Sequence, residues 1–239
     1  MKKKRLIGKI IYHVLVCGLG LVMIYPLVWM IMSSFKPTST IFTTAGQLIP
    51  TQFVFENYVN GWKGFAKITF ATFFKNSLFI SIVATMGTLI SSSLVAFGLS
   101  RCKFFGRRAL FVAMLLSMML PAQVLMIPQY LWYQKLGWVG SFLPLTVPYF
   151  FAIQGFFVYQ ISNFIDGIPR ELDEAAKIDG CSYYSIFFRI VLPLITPALI
   201  TSTIFSFMWR WDDFLSALLY INKTAMYPVS YTHLRAHET

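Results

Sequence analysis

The residues best suited to chemistry fall at two places, with a few isolated polar groups between them. Residues 171–180, ELDEAAKIDG, bring Glu171, Asp173 and Glu174 just after Pro169 and close on Asp179 and Gly180. Pro169 has no backbone donor to lose at a helix start, and carboxylates in the first turn complement the positive end of the helix. Ala175 and Ala176 favour the helix and keep its side chains short, so a second surface can come close. Gly180 offers the backbone conformation that stops it. The expected product is a short acidic helix, a sharp turn, and an amphipathic segment whose Tyr183, Tyr184, Phe187 and Phe188 face a membrane boundary or neighbouring helices. The second place is residues 208–220, MWRWDDFLSALLY, where Arg210, Asp212 and Asp213 sit beside Trp209 and Trp211. Charges cost far less at a membrane interface than at its centre, and Trp is favoured there, so this stretch reads as an interface.

Bond-making chemistry finds no support. The histidines are His13, inside an apolar run, and His233 and His237 near the end. The last two have the i, i+4 spacing a metal site can use but no acidic or cysteine companions, so no metal site is expected. No nucleophile has a credible base. No Gly-x-x-x-x-Gly-Lys-Ser/Thr loop is present to cradle a phosphate, so the chain is expected to bind no ATP itself. Cys17, Cys102 and Cys181 are an odd number with no second cysteine nearby, and imply no disulfide framework.

The elements that must position these residues are membrane helices. With 57% hydrophobic and 12% charged residues and a mean hydropathy of +0.65, the 239-residue chain is too apolar for an ordinary soluble domain. Charge-free runs at 10–35, 76–100, 109–134, 136–165 and 190–209 each reach the roughly 20 residues that cross a hydrocarbon core as a helix. Lipid cannot hydrogen-bond the backbone, so helices are the expected spanning element. The fold class is therefore all-α and polytopic, with five transmembrane helices.

Lys2, Lys3, Lys4, Arg5 and Lys9 precede the first run, and Arg101, Lys103, Arg107 and Arg108 crowd the link between the second and third. Arg170, Lys177 and Arg189 follow the fourth. Lys36, Lys63, Lys67, Lys75 and Lys135 are left for the opposite side, so the amino terminus is expected to be cytoplasmic. The +11 net charge then reflects topology and lipid contact, and no nucleic-acid partner is expected. The first apolar run is longer than a signal-peptide core and no small-residue cleavage site follows it, so it reads as a retained helix.

Prolines come in close pairs, Pro121 with Pro128 and Pro144 with Pro148. Each removes a backbone bond and crowds the preceding turn, so the third and fourth spans are expected to kink or break. Kinks make room for a cavity, and Gln123, Gln129, Gln154 and Arg210 are the polar groups expected to line a path through it. The same amides and kinks also serve simple helix packing.

From Ile168 to Pro197 the chain resembles the coupling loop of ABC-importer permeases: Glu-Ala-Ala, two variable residues, Asp-Gly-Ala, then Phe and a Leu-Pro segment. Cys181 stands where that pattern has Ala. SSFKP at 33–37, Glu56-Asn57-Tyr58, Asn76-Ser77-Leu78 and Trp211-Asp212-Asp213-Phe214 resemble words of the carbohydrate-uptake branch. Its forms for plant-polysaccharide oligosaccharides, including acidic ones, are the most similar in the last. The resemblance implies a membrane-spanning permease subunit of an ATP-driven, solute-binding-protein-dependent sugar importer. It implies partners: two copies of an ATPase subunit carrying ATP and Mg, a second permease subunit and an extracellular solute-binding protein, in a bacterial plasma membrane. Glu171, Glu174, Ala175, Ala176, Asp179 and Gly180 would form the ATPase-coupling loop.

Other solutes, such as amino acids or polyamines, remain open to such a permease. An ion-coupled carrier would show an ionisable residue deep in a span or an inverted repeat. A basic amino terminus at 1–9, a transmembrane domain at 10–228 with its coupling loop at about 163–189, and a tail at 229–239 unlike the family are expected. Permeases of this kind usually have six spans, so the chain is expected to stop before its last helix.

Overall fold

A computed structural model describes residues 2–64 and 68–235, and all regular structure among them is helical. The side chain of His233 and the whole of His237 lie outside the described residues, as do the last residues of the tail. The chain divides into two compact units, Met1–Lys67 and Ile68–Thr239.

The first unit consists of α1 (Lys2–Ser33), a folded loop, and α2 (Glu56–Lys63). Within α1, Ile7–Ser33 has a mean hydropathy of 2.4, long and apolar enough to cross a membrane. Pro26 lies inside this helix without ending it. The loop is built by two of the sequence words. Asn57 Nδ2 donates to the carbonyls of Ser34 and Lys36 at 3.0 and 2.8 Å, and Tyr58 Oη meets Ser34 Oγ at 2.6 Å. Phe35 packs among Phe53, Phe55 and Tyr58. Lys36 is buried, and its ammonium donates to the carbonyls of Thr44 and Gln47 at 2.8 and 2.6 Å. The residue counted by sequence as a free outward charge is a structural staple.

The second unit is organised around α3 (Phe70–Arg101), the other uninterrupted membrane-length helix. It carries a buried face of small residues, among them Ser81, Ala84, Thr85, Thr88, Ser92 and Ala96. Between membrane helices there is no water to expel, so small side chains that let backbones approach replace hydrophobic burial as the packing force. The third charge-free run becomes α4 (Arg107–Met118) and α5 (Ala122–Lys135), bent by 103° at Pro121. Pro128 is accommodated within α5.

The break expected in the run at 136–165 is present and is more extensive than a proline kink. Gly137 and Gly140 have φ of +69° and +85°, and α6 (Leu143–Thr146) is one turn long. A 3-10 turn, Val147–Phe151, follows, and Ala152 adopts φ +52° before α7 (Gly155–Asp166) begins. Pro144 and Pro148 remove the backbone donors a continuous helix needs, and the glycines allow the reversals. Among the described residues two helices are long and apolar enough to cross a membrane, or up to four if each bent pair counts as one span.

After α8 (Glu171–Ile178) come α9 (Tyr183–Ile186), a π turn at Phe187–Val191 and α10 (Leu192–Leu194). The chain then bends by 75° at Ile195 into α11 (Thr196–Trp211), which carries Pro197 in its first turn. Ala198, Ser202 and Ser206, one turn apart, form the buried face of α11. Then α12 (Phe214–Tyr220) and α13 (Val229–Arg235) complete the unit. Asn76 donates to the carbonyls of Ala225 and Tyr227, and Ser77 Oγ accepts from the Val229 amide at 2.8 Å. The Asn76-Ser77 word thus pins the last described segment to the start of α3.

Ala198 is fully buried while Thr201 on the same helix is exposed. Ala198→Leu overpacks this face and is expected to cost about 1–3 kcal/mol. Thermal unfolding in mild detergent should show a lowered midpoint for Ala198→Leu and an unchanged one for Thr201→Leu.

Candidate functional site

The acidic segment folds as its composition demands. Helix α8 starts at Glu171, two residues after Pro169, with Glu171, Asp173 and Glu174 in its first turn. It ends in a two-bond glycine cap: the Gly180 amide donates to the Lys177 carbonyl at 3.0 Å and the Cys181 amide to the Ala176 carbonyl at 2.9 Å. Gly180 takes φ +79° there. No heavy atom lies within 4 Å of where its Cβ would be. The constraint on this position is therefore its backbone angle, the property that marked Gly180 in the sequence. Ser182 then caps α9, its Oγ accepting from the Ser185 amide.

The two faces of α8 differ in character. Glu171, Leu172, Glu174, Ala175, Lys177, Ile178 and Asp179 are exposed, Ile178 at 87%. Asp173 and Ala176 are buried. Five of the six residues expected on a docking surface, Glu171, Glu174, Ala175, Asp179 and Gly180, thus lie on the outside, and the sixth, Ala176, faces inward. Ala176 packs into a cluster that includes Phe97, Ile161, Ile165, Phe187 and Val191. Phe187 is buried with its ring 5.2 Å from that of Phe97, while Tyr183, Tyr184 and Phe188 are exposed. Leu172 and Ile178 belong to the outward face although no sequence motif marks them. Their exposure on a short acidic helix is the signal.

Beneath α8 lies a buried ion pair that the sequence did not reveal. Arg101, the last residue of α3, approaches Asp173 with Nε 3.2 Å from Oδ2, the two side chains 3% and 8% exposed. Arg101 Nη2 donates to the carbonyls of Ile165 and Ile168 at 2.8 and 2.6 Å. These carbonyls belong to the carboxyl end of α7 and the turn after it, where a cation is favoured.

At the other charged place, Arg210 does not stand free. Its Nη1 donates to Asp213 Oδ2 at 2.9 Å and to Tyr149 Oη, and its guanidinium lies 4.7 Å from the Tyr149 ring centroid. Asp213 also caps α12, its Oδ1 accepting from the Ser216 amide at 3.1 Å. Nearby rings make a continuous aromatic surface: Tyr133 contacts both Trp138 and Tyr220, and Tyr220 stacks on Tyr130.

The amides expected along a path have mixed settings. Gln123 and Gln129 are exposed on α5. Gln154, at the amino end of α7, has its Oε1 buried without a hydrogen-bond partner. Among the described residues no hydrogen bond joins Gln123, Gln129, Gln154 and Arg210 to one another. A groove of about 1130 Å3 opens elsewhere, between the end of α3 and α4, lined by Phe104, Phe105, Arg107 and Arg108 among others. No group of side chains able to hold a metal ion occurs among the described residues.

Comparison with known proteins matches residues 87–235 to the family model described as binding-protein-dependent transport system inner membrane component. The chain is 31% identical over 93% of its length to the diacetylchitobiose uptake system permease protein DasC of Streptomyces coelicolor, spanning 79% of that protein. It is 34% identical over 95% of its length to the polygalacturonan/rhamnogalacturonan transport system permease protein YtcP of Bacillus subtilis, spanning 77% of it. Its fold superposes, with a TM-score of 0.83 and 24% identity, on a chain from the crystal structure of a bacterial ABC transporter involved in the import of the acidic polysaccharide alginate. That match covers 99% of this chain and 81% of the other.

Because Gly180 is held by its backbone angle, substitutions there should rank by left-handed tolerance. Gly180→Val is expected to cost about 1–2 kcal/mol and Gly180→Asn distinctly less. Thermal denaturation of the two variants in detergent checks the order.

Proposed function

From the premise that this chain belongs to the family of binding-protein-dependent transport system inner membrane components, we propose that it is the membrane-spanning permease subunit of an ATP-driven importer of sugars or oligosaccharides. A permease subunit of this family is not an enzyme, and ATP is hydrolysed by a separate protein. The observation that carries the reading is the outward face of α8. Leu172 and Ile178 remain exposed between Glu171, Glu174 and Asp179, on a helix whose opposite face is anchored by Asp173 and Ala176. An amphipathic helix with an apolar stripe left uncovered is shaped to lie in a partner's groove.

In this reading two ATPase subunits, each holding ATP and Mg, receive such helices from this chain and from a second permease subunit. An extracellular solute-binding protein delivers the sugar on the opposite side. The amino terminus is cytoplasmic, and the protein is a multi-pass component of a bacterial plasma membrane. The spans are α1, α3, the bent α4 and α5, the broken stretch ending in α7, and the bent pair ending in α11. Closure of the ATPase pair displaces α8, and the bent helices change the access of their shared cavity. The coupling is reciprocal, so sugar delivery also favours ATPase closure.

The names of the relatives DasC and YtcP support sugars over amino acids or polyamines. An acidic oligosaccharide is the finer possibility, supported by YtcP and by the Trp-Arg-Trp-Asp-Asp-Phe stretch. Arg210 has Asp213 and Tyr149 as partners, so a uronate would have to compete with a carboxylate already in place. Its role in this reading is to hold the aromatic surface and α12 in register.

Pull-down of the tagged chain in mild detergent is expected to recover an ATPase and a second permease, and recovery of the chain alone contradicts the reading. In the recovered complex, Arg210→Gln tests the acidic branch. A selective loss of uronic-oligosaccharide uptake supports it, and an equal change for neutral and uronic sugars rules it out.

A further inference from the structure

We propose that Arg101 is a positioning residue whose incomplete pair with Asp173 carries displacement of α8 to α3. The inference rests on the importer reading above and assigns the transmission step to one guanidinium.

Geometry supplies the connection. Asp173 is on the buried face of α8, on the side away from Glu174, Ala175 and Ile178. Helix α8 is eight residues long and hydrogen-bonded through its glycine cap, so a push on one face moves the other with it. Arg101 terminates α3, the helix against which α7, α11 and the Val147–Phe151 turn all pack. Its Nη2 is already committed to the carbonyls of Ile165 and Ile168. One side chain therefore joins the ends of α3 and α7 to the docking helix. Arg170 adds a second, longer link from the turn before α8, its Nη2 reaching the Ser100 carbonyl at 3.5 Å.

Chemistry supplies the direction. Arginine and carboxylate form their strongest pair as a two-bond fork. Here the 3.2 Å approach is an ion pair off the hydrogen-bonding direction: Arg101 Nε and Nη1 and Asp173 Oδ1 are all buried without a hydrogen-bond partner. Buried donors and acceptors left unpaired are costly. The side-on fork open to Asp173 uses Nε with Nη2, so a shift of α8 that let the carboxylate take it would pair Nε and both carboxylate oxygens in exchange for one of the carbonyls that Nη2 now holds. The pair is thus a two-state contact, slack in this conformation and complete in another, and the state of α8 biases it. A discrete alternative arrangement of this kind is what lets a packed core pass on a small displacement.

A buried pair that only stabilised the fold would, when broken, lower assembly and activity together. A transmitting pair has a different signature: hydrolysis continues while transport falls behind it. The test uses the whole transporter, with its ATPase, second permease and binding protein, reconstituted in proteoliposomes. It measures sugar taken up per ATP hydrolysed for Arg101→Met, Arg101→Lys and Asp173→Asn. The expected result is a ratio lowered about tenfold for Arg101→Met and Asp173→Asn, within the range that changes along a coupling network produce. Arg101→Lys keeps the charge but not the fork and should fall in between.

If Arg101→Met fails to assemble, Arg101→Met combined with Asp173→Leu is measured in its place, since an apolar pair of similar volume removes the charges without leaving one unpaired. It should assemble and be equally uncoupled. A normal uptake per ATP in any assembled variant lacking the pair overturns the inference while the importer reading stands. A wild-type complex with no ATPase overturns both.

Discussion

Everything in the second unit leans on the small-residue face of α3. Ser81, Ala84, Thr85, Ser92 and Ala96 are short enough for α7 and α11 to lie against the helix, and Gly87 leaves room for Phe150, whose ring would sit 2.7 Å from any Cβ there. Where helices pack in lipid, transfer of apolar surface from water contributes little, and close approach with its many weak contacts takes over. A helix hydroxyl can bond its own preceding turn, as Thr88 does with the Ala84 carbonyl at 2.9 Å, whereas Ser81 Oγ, Thr85 Oγ1 and Ser92 Oγ are buried without a hydrogen-bond partner. Ser91 does more: its Oγ bonds the Gly87 carbonyl and also the Tyr149 carbonyl of the facing segment.

That packing brings the charged end of α3 under the acidic helix. Arg101 is buried because α7 and α8 close over it, and it is tolerated there because a carboxylate and two carbonyls share its charge. The consequence for function is a division of labour on α8. Its inward residues, Asp173 and Ala176, tie it to the membrane unit, which leaves the outward residues available to another protein. At the other charged site Arg210 Nη1 bonds both Asp213 and Tyr149 while its Nε has no hydrogen-bond partner, and the second oxygen of Asp213 caps the amino end of α12.

The legible part of this architecture was local. The apolar runs at 10–35 and 76–100 became single helices, and Pro121 marked the bend between α4 and α5 because a proline acts on its own turn, whereas the bend within 190–209 was not anticipated. The start and the glycine stop of α8 followed from Pro169, the first-turn carboxylates and Gly180, all within one short segment. In the run at 136–165 the proline pair Pro144 and Pro148 marked the break, but its extent also depends on Gly137 and Gly140, because freedom from charge reports affinity for the membrane and not helix continuity.

The family was readable from the sequence alone, since EAAKIDG and the short words around it are contiguous residues with local conformational reasons for their identity. Pairings between distant residues were not. Nothing in the order of residues says that Arg101 meets Asp173, that Asn57 holds the Ser34 and Lys36 carbonyls, that Asn76 and Ser77 pin the segment at 225–229, or that Ala176 turns inward while Ala175 beside it turns out. Periodicity and capping act over a few residues, whereas the partner of a buried charge is set by which helices the bundle brings side by side, and that only the tertiary structure decides.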